Sequence, residues 1–316
     1  MATTVTRKPA QARPWLSKQL RNDLRAYAFI SPWLLSLVVF TGYPMLATIY
    51  FSLTDYTIVQ PPQWVGLENY QRMFTADPQF WPAVWNTTFY AVISVPLSLV
   101  VALGLALLLN QNVRGVGIYR TIYYLPTMVP AVAGALLWTV ILDPQNGLLN
   151  SMLESVGLPG PGWLKSAEWS KPALILMALW AGTGSAMLIF LAGLKDIPQT
   201  LYEAATIDGA SSWQRLMRIT LPLLTPTIFF NLIMGIIASF QVFGQILASA
   251  GSGGTVGPLN SLLMYMVLLY RSAFRSFEMG YASALALVLF VFLVLLTMLV
   301  VRSSRHWVYY EGEHPG

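Results

Sequence analysis

Residues Leu201 to Pro222 read LYEAATIDGASSWQRLMRITLP, a polar, charged stretch inside a chain otherwise built from long apolar runs. Its local chemistry predicts two short helices. Pro198 suits the first helical position, where the missing N–H costs nothing, and Gly209 can close that helix in a left-handed cap. Ser211 and Gln214 then form an S-x-x-Q capping box for a second helix. Ala204 and Ala205 keep one side of the first helix thin, so its backbone can approach a partner closely. Glu203 and Asp208 supply charge beside them. The stretch has the makings of a cytoplasmic docking element.

The surrounding composition is that of a membrane protein. Of the 316 residues, 56% are hydrophobic and 10% charged. Apolar stretches near 20 residues recur, each long enough to cross roughly 30 Å of hydrocarbon as a helix. Spans are expected at about 27–50, 84–109, 119–142, 173–194, 223–247 and 281–302. Leu259 to Tyr270 is shorter and ends in basic residues. It reads as a re-entrant or interfacial helix, with a seventh span as the alternative. The run from Tyr27 to Tyr50 is too long for a signal-peptide core and has no small-x-small cleavage site after it, so it is read as a retained span. Residues 1 to about 25 read as a flexible basic tail, 26–302 as the membrane domain with a coupling loop at 195–222, and 303–316 as a polar tail. Gly251 to Gly257 reads as a flexible turn.

Charge sets the orientation. The N-terminal tail holds Arg7, Lys8, Arg13, Lys18, Arg21 and Arg25. Arg114 and Arg120 follow the second span, Lys195, Arg215 and Arg218 belong to the 195–222 loop, and Arg302 and Arg305 lie at the end of the sixth span and after it. Thirteen of the eighteen Lys and Arg thus fall on one side, which the positive-inside rule makes cytoplasmic, with both termini there. Arg72, Lys165, Lys171, Arg271 and Arg275 share the opposite loops with acidic residues. The net charge of +5 is therefore a topology signal, and nucleic acid is not an expected partner.

Catalytic motifs are missing. The sequence has no cysteine, no H-E-x-x-H, no Walker A and no G-x-S-x-G pattern, and its two histidines, His306 and His314, lie in the C-terminal tail. No metal site, bound cofactor or catalytic residue is expected, so any energy for transport must come from a partner. No Asp, Glu or Lys falls within a predicted span, which argues against proton- or ion-coupled carriers and for an uncharged cargo. An integral membrane enzyme acting on lipid-linked sugars would need acidic or histidine clusters that the chain lacks.

Candidate path residues come from three predicted spans. Ser239 and Phe243 share one helical face by i, i+4 spacing, and Gln241 and Gln245 share a neighbouring one; the glutamines can bind solute hydroxyls or bond another helix. Trp180-Ala181-Gly182-Thr183-Gly184-Ser185 offers an aromatic plane beside exposed backbone, or ordinary packing. Pro126 and Pro130 bracket Thr127, and each removes a backbone donor, which implies either a wet cavity or a simple kink.

Glu203-Ala204-Ala205, Asp208-Gly209-Ala210 and Ile219-Thr220-Leu221-Pro222 together resemble the EAA loop of permease subunits in binding-protein-dependent ABC importers. Supporting stretches are Ser31-Pro32-Trp33, Gly42-Tyr43-Pro44, Gly66-Leu67-Glu68-Asn69-Tyr70, Tyr124-Leu125-Pro126, and Phe190 to Leu194 with Ile197-Pro198. Their order is similar to that of the sugar-importer branch related to the maltose and glycerol-phosphate permeases, from about residue 27 to 300. The resemblance implies an all-α integral membrane fold: six transmembrane helices of the type I ABC importer permease. It implies as partners a second permease subunit, read as a heterodimer, two copies of a cytosolic ATPase carrying ATP and Mg, an extracytoplasmic solute-binding protein, and a carbohydrate. Coupling would run through Glu203, Ala204, Ala205, Asp208, Gly209, Ala210, Leu221 and Pro222. The resemblance also places Thr127, Ala131, Gly182, Ser185, Ser239 and Phe243 on the pathway, Ala131 and Phe243 standing where the maltose permease has hydrogen-bonding side chains. Glycerol phosphate esters are the alternative cargo.

Overall fold

The structure, a computed structural model, describes residues 18–111, 114–249 and 256–309. Most of the basic tail (Arg7, Lys8, Arg13), most of the Gly251 to Gly257 turn, and His314 lie outside them. The first helix begins inside the expected tail. α1 (Lys18–Leu37) leads through a π turn (Val38–Gly42) into α2 (Tyr43–Ser52). The π turn has a local cause: Pro44 cannot donate to the carbonyl one turn back, and the Tyr43 N–H reaches Val38 O instead. A two-residue hairpin, β1 (Thr54–Asp55) and β2 (Gln63–Trp64), and α3 (Glu68–Thr75) then cap one end of the bundle.

α4 (Phe80–Leu109) and α8 (Ser170–Asp196) are continuous 30- and 27-residue helices, and they pack on each other as the centre of the bundle. Between them, α5 (Val116–Tyr124) and α6 (Ala131–Ile141) form a broken span bent by 101°, followed by α7 (Leu148–Ser155). Pro130 is extended at φ −54°, ψ 137° and ends helical geometry between the two limbs. After α8 come α9 (Gln199–Ile207), α10 (Ser212–Arg215), a second π turn (Leu216–Thr220), α11 (Leu221–Leu223) and α12 (Thr225–Phe240). The limb Ser212–Leu223 meets α12 at 64°. The second π turn stands in front of Pro222 at the same offset as the first stands in front of Pro44. α13 (Gly244–Ser249), α14 (Tyr265–Phe274) and α15 (Met279–Ser304) complete the chain. Among the described residues four helices are long and apolar enough to cross a membrane, or six if each bent pair is one span.

Three expectations are corrected. The fifth span is not one helix to residue 247: α12 stops at Phe240, Gln241 leaves helical geometry at ψ 11°, and α13 starts anew at Gly244. The shared faces assigned to Ser239 with Phe243 and Gln241 with Gln245 therefore do not exist. The third span is broken rather than continuous. The segment before the last span is helical only from Tyr265, because Leu259 and Asn260 take positive φ (54° and 57°).

That segment is packed inside the protein. Leu262, Leu263, Met264 and Val267 are buried at 2% exposure or less in the largest apolar cluster. Its irregular backbone is bonded from α4: Asn86 Nδ2 donates to Leu263 O at 3.1 Å, and the Tyr265 N–H donates to Thr87 Oγ1 at 2.8 Å. Irregular backbone of this kind is tolerated because protein surrounds it and takes up its hydrogen bonds. At the capped end, Arg72 holds Glu278 with two contacts of 3.0 Å, and the Gly280 N–H donates to Tyr56 O. Gly280 is obligatory, since a Cβ there would run into the Thr54 carbonyl.

Candidate functional site

The stretch that opens the sequence reading forms a self-bonded hairpin of helices. Pro198 is the N-cap of α9 rather than its first residue, at φ −57°, ψ 128°. Gly209 takes φ +75°, and the Ala210 N–H reaches Ala205 O (2.9 Å) while the Gly209 N–H reaches Thr206 O (3.1 Å). That pair of bonds is a Schellman cap. The Ser211 N–H then donates to Gln214 Oε1 (2.7 Å), and the Gln214 N–H returns to Ser211 Oγ (3.3 Å), completing the capping box. Arg215 donates to Thr206 Oγ1 and Ser212 Oγ, and the Tyr202 hydroxyl lies 3.0 Å from Thr220 Oγ1. The two helices are thereby tied into one unit.

Glu203, Ala204, Asp208, Gly209 and Pro222 are exposed, and Ala205, Ala210 and Leu221 are half-buried. Ile207 (87% exposed) and Trp213 (64%) project beside them. Large apolar side chains exposed on a polar, prominent element are of the kind that anchors a partner. Sequence reading passed over both, although an isoleucine next to Asp-Gly and a tryptophan after Ser-Ser were the visible signal.

A second feature lies inside the bundle. A cavity of about 700 Å³ is enclosed by α4, α8, α12, the Gln241–Phe243 break and the start of α6. Seven of the predicted path residues line it: Ala131, Gly182, Ser185, Ser239, Gln241, Phe243 and Gln245. Two do not. The Thr127 hydroxyl is used on Tyr124 O (2.7 Å), and Trp180 packs edge-on against Trp138 at 6.0 Å and lies near Gly134.

Four polar residues that sequence reading missed also line the cavity: Tyr90, Ser94, Ser98 and Asn231. Tyr90, Ser94 and Ser98 follow at i, i+4 and i+8, one face of α4, and that spacing was available in the sequence. Phe243 is held by Tyr270, ring centroids 4.9 Å apart. The broken α12–α13 connection presents Gln241, and α13 packs on α6 with Gly244 beside Ala131. Gln245 Oε1 is buried without a protein donor. Among the described residues no charged side chain lines the cavity, and Gly182, Ser185 and Ala131 are exposed along its open side.

Outside the membrane helices, Asp143 accepts from Lys165 Nζ at 2.8 Å and from the N–H groups of Gln145 and Asn146 at 3.0 Å. Hydrogen bonding to Lys165, then to those two amides, holds its carboxyl down at about 2. Among the described residues no group of three or more His, Cys, Asp or Glu is placed to hold a metal ion.

Residues 94–308 match the family described as "Binding-protein-dependent transport system inner membrane component". The chain is 42% identical to the probable ABC transporter permease protein YesP of Bacillus subtilis (strain 168) over 301 residues, covering 94% of this chain and 96% of that one. It is 34% identical to the trehalose/maltose transport system permease protein MalF of Thermococcus litoralis, covering 90% and 95%. Among solved structures, a bacterial alginate ABC transporter in complex with an alginate pentasaccharide-bound periplasmic protein superposes with a TM-score of 0.81 at 26% identity, covering 92% of this chain and 97% of that one.

Proposed function

The chain belongs to the binding-protein-dependent transport system inner membrane components, and from that premise we propose that it is the pore-forming permease subunit of an ABC importer for a neutral carbohydrate. The observation that carries the cargo class is the cavity: hydroxyls, amides and aromatic faces, with no fixed charge near the middle of the membrane helices. Those groups exchange hydrogen bonds with sugar hydroxyls without stranding an ion in hydrocarbon. The relative named for trehalose and maltose supports the same reading.

The cavity's open side supports the finer assembly. A polar cleft facing lipid would leave its groups unpaired, so a second permease subunit closes it, in a heterodimer by the expectation from sequence. The helical hairpin of α9 and α10 receives a cytosolic ATPase, with Ile207 and Trp213 as apolar anchors, Glu203 as a polar contact and Gly209 as the turn that presents them. ATP and Mg belong to two copies of that ATPase. Basic residues bordering this element put it, and both termini, on the cytoplasmic side of the inner membrane. The Arg72–Glu278 and Lys165–Asp143 pairs then lie on the outer face, where a solute-binding protein docks. The chain's own part is transport, with ATP hydrolysis on its partners.

One observation favours a second cargo class: the alginate transporter superposes closely, and alginate is an acidic polysaccharide. Uptake by this chain reconstituted with its partner permease, ATPase and binding protein separates the two. Neutral mono- and disaccharides should enter with ATP while uronic acid oligomers and glycerol phosphate esters do not. Uptake confined to the anionic solutes overturns the neutral reading.

A further inference from the structure

The C-terminal end of α15 does not run off into solvent. Ser304 is buried and bonds Val301 O at 2.7 Å, and the N–H groups of Trp307 and Val308 return to Ser304 O, turning the chain back. The turn lays Trp307 edge-on against Phe229 of α12, centroids 5.9 Å apart, and buries Val308 to 9% exposure. The Tyr309 N–H then donates to Thr225 Oγ1 at 2.9 Å. Thr225 is the first residue of α12, at the 64° joint with the Ser212–Leu223 limb.

Thr225 holds the other side of that joint as well. In an unbroken helix Pro222 O would accept from residue 226, but Pro226 has no N–H to give. The Thr225 hydroxyl takes the vacant acceptor instead, at 2.6 Å. One side chain thus links the docking limb, through Pro222 O, to the tail of the last span, through the Tyr309 N–H. The far side of the joint is equally close: Leu224 is fully buried, and only the missing side chain of Gly193 on α8 admits Leu224 and Thr227.

We propose that residues 305–309 form a brace that sets the angle between the docking limb and α12, with Thr225 as its positioning residue. The proposal rests on the docking element being the point where ATP hydrolysis enters. A helix joint between two bends transmits displacement only if its angle is fixed, and here the fixing strut comes from the last span. Loosening it should let the limb follow the ATPase without moving α12 against the cavity. Hydrolysis would then continue while uptake per ATP falls.

The test uses the complete transporter in liposomes, with subunit assembly measured by co-purification and uptake of the transported sugar measured against ATP hydrolysed. Thr225→Val keeps the shape and removes both hydrogen bonds, and should lower uptake per ATP about fivefold. Thr225→Ser restores the hydroxyl and should return the ratio to within about twofold of wild type. Trp307→Ala removes the ring contact from the other side and should lower the ratio in the same direction. Wild-type ratios in Thr225→Val and Trp307→Ala overturn the brace, as does a valine defect that serine fails to rescue. Gly209→Val serves as the reference: if it loses binding-protein-stimulated ATPase while Thr225→Val keeps the wild-type ratio, the docking reading stands and the brace falls. If Gly209→Val keeps normal stimulation and Thr225→Val keeps the wild-type ratio, both fall.

Discussion

The docking hairpin and the cavity are built on opposite principles. Within the hairpin, the bonds that set its shape close over short sequence distances: the Schellman cap spans five residues and the capping box three, and even the Tyr202–Thr220 contact spans only 18. The cavity instead gathers Tyr90 and Ser98 from α4, Ser185 from α8 and Gln245 from α13, residues more than 150 positions apart at the extremes. One region carries charge, and the other carries none among its described lining residues. The contrast fits the two tasks assigned to them. A coupling element must hold its shape while its surroundings move, and so depends on itself. A transport path must change shape, and one whose walls belong to different helices changes when those helices shift.

The largest expected effect breaks the contrast by giving the cavity a charge. Ser98 is half-buried near the middle of α4 and faces the cavity. An aspartate there has no cation among the lining residues and costs about 3 kcal/mol at mid-membrane. Ser98→Asp should therefore lower uptake of a neutral sugar by about two orders of magnitude, while Ser98→Asn, polar and uncharged, keeps most of it. Initial uptake rates normalised to assembled transporter check this, and equal rates for the two variants would show that the path lies elsewhere.

A smaller effect tests the self-sufficiency of the hairpin. A Cβ on Gly209 would meet nothing within 4 Å, so any penalty is in the backbone alone, at φ +75°. For a β-branched residue that is about 2 kcal/mol. Gly209→Val should cut binding-protein-stimulated ATPase by about an order of magnitude with the membrane helices intact, and Gly209→Asn, which tolerates this conformation, should retain most of it. Equal loss in both would mean that contact to a partner, rather than the turn, governs the position.

The same division explains what could be read from the chain. The left-handed turn at Gly209 and the Ser211–Gln214 box were legible because each needs only a few neighbouring residues to form. The helical break at Gln241 was not, since Ser239 to Gln245 carries no proline, and the interruption serves contacts with Tyr270 and Ala131 that sequence alone does not announce. Leu259 to Tyr270 misled for a related reason. Its apolar residues suit a helix, but Asn86 and Thr87, more than 170 residues away, bond the backbone in a different shape. Of the residues that line the cavity, Ser185 and Ser239 were legible because polar groups stand out in apolar runs. Ser94 and Ser98 belong to the second predicted span, which was not among the three that supplied candidates. Trp180, outside the lining, could not be told apart, since an aromatic beside glycines has the same sequence appearance in a wall as in a packed interface.

The smallest effect concerns a local motif in the loop between α6 and α8. Asp143 gathers its bonds from residues 145 and 146 and from Lys165, so it resembles the hairpin rather than the cavity. Its carboxyl titrates at about 2, below the usual 3.8. A depressed pKa means that the folded state favours the carboxylate, so its contribution is complete above about 3.8 and fades as pH falls toward about 2. Across the neutral range it should be constant. The Asp143 side chain is half-buried, but its partner Lys165 is largely exposed, and a pair this open to water is screened by salt. Asp143→Asn should consequently leave uptake at pH 7 nearly unchanged and remove only the acid sensitivity of the 143–165 loop, read by amide exchange of Gln145 and Asn146 between pH 5 and pH 2.5. A large transport defect at neutral pH would instead make this turn part of the surface that receives the binding protein, and would place a docking contact on a motif whose bonds are otherwise entirely its own.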